Sequence, residues 1–323
     1  MRTRTKVWLI IAASLVLIGC ILFAGAMTSL RWDFMDLATV KYETNTYEIS
    51  EVFDDIYMNT DTADIVFAFS DDGKCRVQCH EEEDAKHSVT VEDGTLTVEL
   101  IDERSVYDFI GYIGLNFGSP KITVYLPKAE YTSLLIKEDT GDIEMPKAFT
   151  FKDVDISLST GDISFCASAS ETIKLKTSTG DICVENISAG AIDLSVSTGK
   201  VMVSGVTCEG DVTVGVSTGK VYLTDIVCKS LISSGDTGDI SLDNVIAAEK
   251  FSIERSTGDV KFHSCDAAEI YVKTDTGDVT GSLLSSKVFI ANTDTGIVDV
   301  PQTVDGGKCE IITNTGDIKL DIQ

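Results

Sequence analysis

Seven aspartates, Asp142, Asp162, Asp181, Asp239, Asp259, Asp278 and Asp317, each stand directly after a Thr-Gly pair, and these pairs recur every 19 or 20 residues. Stacked one above another at about 4.8 Å, such carboxylates would repel unless hydrated, hydrogen-bonded or bridged by a cation. Two chemistries follow. A calcium ladder needs several oxygens per ion, and the glycine-rich nonapeptide that supplies them elsewhere is absent. Lys200, Lys220 and Ile297 also interrupt the column. Hydrogen bonding of each Asp to its own turn backbone needs no metal and is the commoner use of Asp beside Gly. Metal ions are therefore not expected partners.

The other candidates are few. The histidines, His80, His87 and His263, stand in no motif with one another. His80 adjoins Glu81, Glu82 and Glu83, a charged cluster that reads as a solvated turn. Of nine cysteines, Cys75 and Cys79 are four apart, while Cys208 and Cys228 occupy equivalent places in consecutive repeats. The second pair could approach disulfide geometry in an oxidising compartment. Cys166, Cys183, Cys265 and Cys309 fall at or near core positions and read as small buried hydrophobes. No phosphate loop, nucleophile elbow or zinc-protease helix is present. No catalytic, cofactor-binding or metal-ligating residue is predicted, and no cofactor.

The elements that carry these residues are set by the repeat. Ten threonines, Thr140, Thr160, Thr179, Thr198, Thr218, Thr237, Thr257, Thr276, Thr295 and Thr315, mark its period. Six and four residues before each Thr the chain is mostly Leu, Ile, Val or Phe; three after it, always Ile or Val. Spacing by two is strand periodicity, with alternate residues facing a core. The parity changes across the Gly, so the turn re-aims the chain, which glycine permits. Each unit reads strand, turn, strand, return loop. Self-similarity at this period predicts an all-β fold, a single elongated β-solenoid of about fourteen coils. The usual crossover sense makes it right-handed. Two-sided and three-sided coils both fit.

Ahead of the repeats, Arg2, Arg4 and Lys6 precede an apolar run, Val7 to Met27, long enough as a helix to span about 30 Å of hydrocarbon. With Asp33 and Asp36 beyond it, the charge pattern predicts a single-pass anchor with a cytoplasmic N-terminus and an extracytoplasmic β region. A signal peptide cleaved near Ala24-Gly25-Ala26, or a lipoprotein box ending at Cys20, are the alternatives. The predicted organisation is a tail over 1–6, a transmembrane helix over 7–27, a juxtamembrane spacer over 28–47, irregular first coils and cap over 48–133, and regular repeats over 134–323. Trp32 and Phe34 suit either the lipid boundary or the first coil. Asn59 to Ile65 is a degenerate copy of the repeat phrase, 78 residues or four periods before Thr140. Glu92-Asp93-Gly94-Thr95 reads as a turn between two alternating runs. Arg104 to Gly118, with Tyr107, Phe109, Tyr112 and Phe117, is an aromatic excursion that would fold over an open edge or form a binding face.

All 52 acidic residues, but only 23 of the 26 Lys and Arg, lie beyond residue 27, a net charge of −29 there. Nucleic acid is not an expected partner of that surface. Cationic peptides or positive envelope groups are, though acidity also serves solubility alone.

The ordered phrases Tyr42-Glu43-Thr44-Asn45, Asp61-Thr62-Ala63-Asp64-Ile65, Val91 to Leu96 and Val124-Tyr125-Leu126-Pro127, with the Thr-Gly-Asp series, resemble an adhesin-like family of bacterial domains of unknown function. The resemblance covers roughly residues 40 to 323. It implies a β-solenoid at the bacterial surface and, for some members, a part in cell-envelope stress responses to cell-wall-active antibiotics and antimicrobial peptides; it supplies no catalytic residues. The expected function is a non-enzymatic surface binding or scaffold module, an adhesin or a sensor component. A polysaccharide-active enzyme and a plain structural spacer are the alternatives.

Overall fold

The computed structural model describes residues 3–29, 32, 40–102 and 118–323. Phe34 and nearly all of the aromatic excursion lie outside the described residues. Among these residues are a helix, Thr3–Ser29, and 24 strands joined in one sheet. Its stretch Val7–Ser29 has a mean hydropathy of 2.8, and Val7 to Ala26 are all exposed. A helix apolar on every side and exposed along nearly all its length is what a membrane span or a signal sequence looks like.

The β region is a solenoid of stacked coils with three corners. Along one coil, buried side chains run Val201, Val203, then Val206, Cys208, then Val212, Val214, Val216. The in–out alternation breaks at Gly205, at Glu209-Gly210 and at Thr218-Gly219, which settles the cross-section as three-sided. The Gly205 corner is a column of left-handed residues, Asn186, Gly205, Asp225, Asn244 and Ser264, with φ between 52° and 65°. Asn, Asp and Gly are the residues that adopt that region most readily.

At the Thr-Gly corner the threonines form one in-register parallel ladder. Its order is Thr62, Thr140, Thr160, Thr179, Thr198, Thr218, Thr237, Thr257, Thr276, Thr315, Thr295. These eleven rungs are fewer than the fourteen coils expected, and their order departs from sequence order at the end where Thr315 precedes Thr295. Thr62 pairs directly with Thr140, with no coil between. The intervening chain builds an end cap instead. Strand Cys75–Glu82 runs antiparallel to both Tyr42–Ile49 and Lys121–Leu126. Ala85–Glu92 and Thr95–Asp102 form the predicted hairpin, with Asp93 and Gly94 at φ 49° and 79°, the pair of positive values a tight hairpin turn requires. Thr95–Asp102 and Lys121–Leu126 then lie outside Asp55–Thr62 and Asp64–Phe69. At the other end the final coil, Gly307–Thr315, inserts between the Ile270–Thr276 and Lys287–Thr295 segments.

Ile/Val after the glycines forms the buried column predicted, from Ile143 through Val279 to Ile318. Val298 is the exception at 42% exposed, because its coil is the outermost rung.

Candidate functional site

The aspartates do form a column, but each side chain caps the next coil's backbone rather than its own turn. Asp162 N–H donates to Asp142 Oδ1 at 2.8 Å, Asp181 N–H to Asp162 Oδ1 at 2.7 Å, and Lys200 N–H to Asp181 Oδ1 at 2.7 Å. The series resumes at Asp239 and ends with Ile297 N–H on Asp317 Oδ1 at 2.9 Å. In-register stacking puts the neighbouring N–H closer to hand than the residue's own turn. Both mid-column lysines are compensated by ion pairs, Lys200 Nζ to Asp181 at 3.7 Å and Lys220 Nζ to Asp239 at 2.9 Å. The hydrogen bond from Lys220 holds the Asp239 carboxyl below its usual range. Ile297 occupies the last rung, where a carboxylate would have no further N–H to cap. Asp181→Ala is therefore expected to cost about 1 kcal/mol and Asp181→Asn, which keeps an acceptor oxygen, appreciably less. Urea denaturation of both variants checks this.

The sheet face just before the Thr-Gly corner carries two shallow recesses of about 470 and 510 Å³. Its outward residues are mostly small and polar: Ser157, Ser159 and Ser178 line one recess, and Ser195, Ser197, Ser217, Ser234 and Ser256 the other. Beneath each lies a buried ionisable side chain at the inward position two before Thr. In the first it is Glu138, whose Oε1 accepts from Ala63 N–H at 3.2 Å while Oε2 has no partner. Burial pushes its carboxyl up to about 8, reinforced by Asp61 and Asp139 and opposed by backbone hydrogen bonds. In the second it is Arg255, 4% exposed, whose Nη1 donates to Val216 O at 2.9 Å across two coils. Its Nε is unpartnered. Burial lowers the guanidinium to about 10, with Asp236 pulling the other way. Gly235, on the rung between, leaves the room; a Cβ there would collide with Nη1 and with Val216 O. Six rungs, about 29 Å at the strand spacing, separate Glu138 from Arg255. They cannot act on one bond, and carboxylates that cleave a glycoside stand within about 10 Å of each other.

The remaining residues scatter. His80 stacks on the Tyr42 ring at 5.2 Å and meets Thr44 Oγ1 at 3.0 Å. His263 pairs with Asp243 at 2.6 Å on the surface. The expected acidic cluster at 81–83 is split, because Glu81 turns inward and is 1% exposed. The cysteines are free thiols. Cys208 and Cys228 are buried, and Cys208 Sγ donates to Gly190 O at 3.6 Å and Asp211 O at 3.7 Å. Cys265 and Cys309 are core residues, but Cys166 and Cys183 are only half-buried, because Cys183 faces outward between Ile182 and Val184.

The family model described as Toastrack DUF4097 matches residues 53–215 and 209–323. The chain belongs to the Toastrack DUF4097 family. Among solved structures, this Toastrack chain is similar to a candidate adhesin from Bacteroides fragilis at 17% identity and a TM-score of 0.43, covering 87% of this chain and 97% of that one. A candidate lipid-binding protein from Parabacteroides distasonis is 14% identical with a TM-score of 0.48, covering 86% and 97%. A candidate cell-adhesion protein from Clostridium sporogenes is 13% identical, with a TM-score of 0.22 over 88% and 100%. No curated protein sequence matches the chain.

Proposed function

We propose that this Toastrack protein is a non-enzymatic binding module of the bacterial envelope, tethered by its N-terminal helix with Arg2, Arg4 and Lys6 in the cytoplasm and the solenoid outside. The observation that carries the reading is a rigid in-register stack bearing a net charge of −29 beyond residue 27. Charges held at fixed spacing on a stiff rod attract cationic partners without having to order themselves first. Cationic antimicrobial peptides and positive envelope groups are the ligands this suits, either for adhesion or for sensing envelope stress. The distance between Glu138 and Arg255 supports binding over catalysis.

Binding of a cationic peptide to the purified protein at 50 and 500 mM salt tests the idea. Affinity is expected to fall by about tenfold or more across that range. It should also exceed that of an unstructured acidic chain matched in charge. Equal affinity for the two would sink the proposal. Externally added protease checks the orientation: the β region of spheroplasts should be accessible without lysis.

A further inference from the structure

The end cap brings together three side chains that the sequence keeps apart. Cys79 and Glu81 occupy alternate inward positions of Cys75–Glu82, and His87 comes from Ala85–Glu92 beyond the turn. Their ligand atoms all lie within 4.8 Å of one another, and the residues are 0%, 1% and 5% exposed. Glu81 is held firmly. Its Oε2 accepts from His87 N–H and faces His87 Nδ1, each at 2.7 Å. Its Oε1 accepts from Asn45 Nδ2 at 2.8 Å, and Asn45 also donates to Glu43, itself paired with Lys86. This chain of contacts runs from the surface inward and fixes the imidazole ring, as carboxylates do for ligating histidines. One atom is left over: His87 Nε2 is buried with no partner. An orphaned ring nitrogen in the interior costs about 1–3 kcal/mol, and no described protein group relieves it.

We propose that Cys79 Sγ and His87 Nε2 bind a divalent ion of the zinc class, with Glu81 holding the ring from its Nδ1 side. Thiolate and imidazole are the donors a borderline-soft cation takes, and a Ca²⁺ or Mg²⁺ site would be all oxygen. On binding, the Cys79 S–H bond ionises and its proton leaves to solvent, while the ring contributes a nitrogen lone pair. Burial and the Glu81 charge keep the metal-free thiol protonated well above neutral pH, so the site is inert without the ion. Exposed Glu83 and Asp84 at the hairpin tip gather cations beside it. The ion would pin the hairpin to Tyr42–Ile49, the first strand after the membrane helix.

Cobalt is the probe. The full-length protein, stripped with chelator and titrated with Co²⁺, is expected to take up about one equivalent and show a thiolate-to-cobalt charge-transfer band in the near ultraviolet. Cys79→Ser should abolish the band, and Cys228→Ser, a buried cysteine in the solenoid wall, should keep it. His87→Gln should weaken binding by about tenfold or more. No band in the wild type, or an undiminished band in Cys79→Ser, overturns the assignment. Should Cys79→Ser fail to fold, the wild type decides alone: a melting temperature that Zn²⁺ leaves unchanged also overturns it.

Discussion

Gly180→Ala should lower the stability of the β region by about 3 kcal/mol or more, among the largest effects of any single methyl group in the chain. Gly180 has φ +141°, and a Cβ there would lie well under 3.0 Å from the Gly161 carbonyl oxygen and carbon of the coil beneath. The obstacle is backbone, held by ladder hydrogen bonds above and below, so it cannot swing aside as a side chain could. The same geometry recurs at Gly199, which faces Gly180 O, and at Gly219, which faces Gly199 O. Stability in a stacked repeat is a sum over neighbouring interfaces, and a mid-stack methyl spoils the interface beneath it. Gly73→Ala is the control. Its φ is +71° but nothing lies within 4 Å of a Cβ there, so only the backbone strain of about 1 kcal/mol applies. Denaturation of the two variants in guanidinium separates the causes. Equal losses would show that inter-coil contact is not what demands glycine.

Glu138→Gln should stabilise the protein, and increasingly so with pH. The folded carboxyl is raised from 4.5 to about 8 because it is buried. Below about pH 4.5 the acid is protonated in both states and costs nothing. Between pH 4.5 and about 8 the unfolded chain ionises while the folded chain holds its proton, so stability falls as pH rises. At pH 7 the loss is about 3 kcal/mol as an upper bound, from 1.36 kcal/mol per pKa unit. Glutamine keeps an oxygen for Ala63 N–H and has no proton to lose. Melting temperatures should coincide near pH 4 and diverge by several degrees at pH 8. A constant offset across that range would mean the carboxyl is not held neutral.

Much of this was legible in the residues, and the gaps have physical reasons. The alternating Ile, Val and Leu around each Thr-Gly could only face a common core, which made the stack plain. The second corner was hidden because Asn186, Gly205, Asp225, Asn244 and Ser264 share a backbone region and not a residue type. Rung order was hidden because parallel in-register pairing looks the same whichever coils are neighbours. Two departures from the phrase did mark the ends. Ala63 stands in the glycine position on the first Thr rung, where no preceding Thr-Gly carbonyl would meet its methyl, and Ile297 replaces Asp on the last. The clustering of Cys79, Glu81 and His87 was masked by His80, which sits among the acids in sequence but points to the opposite side of its strand. Turn-bound aspartates were a sound expectation from local chemistry, overridden by a neighbouring N–H at the strand spacing.

The displaced order of the end coils has a bearing on how the molecule is made. Asp55–Thr62 gains its second partner only when Glu130–Thr140 arrives, 78 residues later. As the chain is made, this segment must wait half-paired while the cap forms on its other flank. At the far end, Lys287–Thr295 has to stand off from the growing rod until Gly307–Thr315 slides into the gap. Gly307–Thr315 thus acts as a keystone, and a chain truncated before residue 307 would lose the interior slat while keeping the outer one.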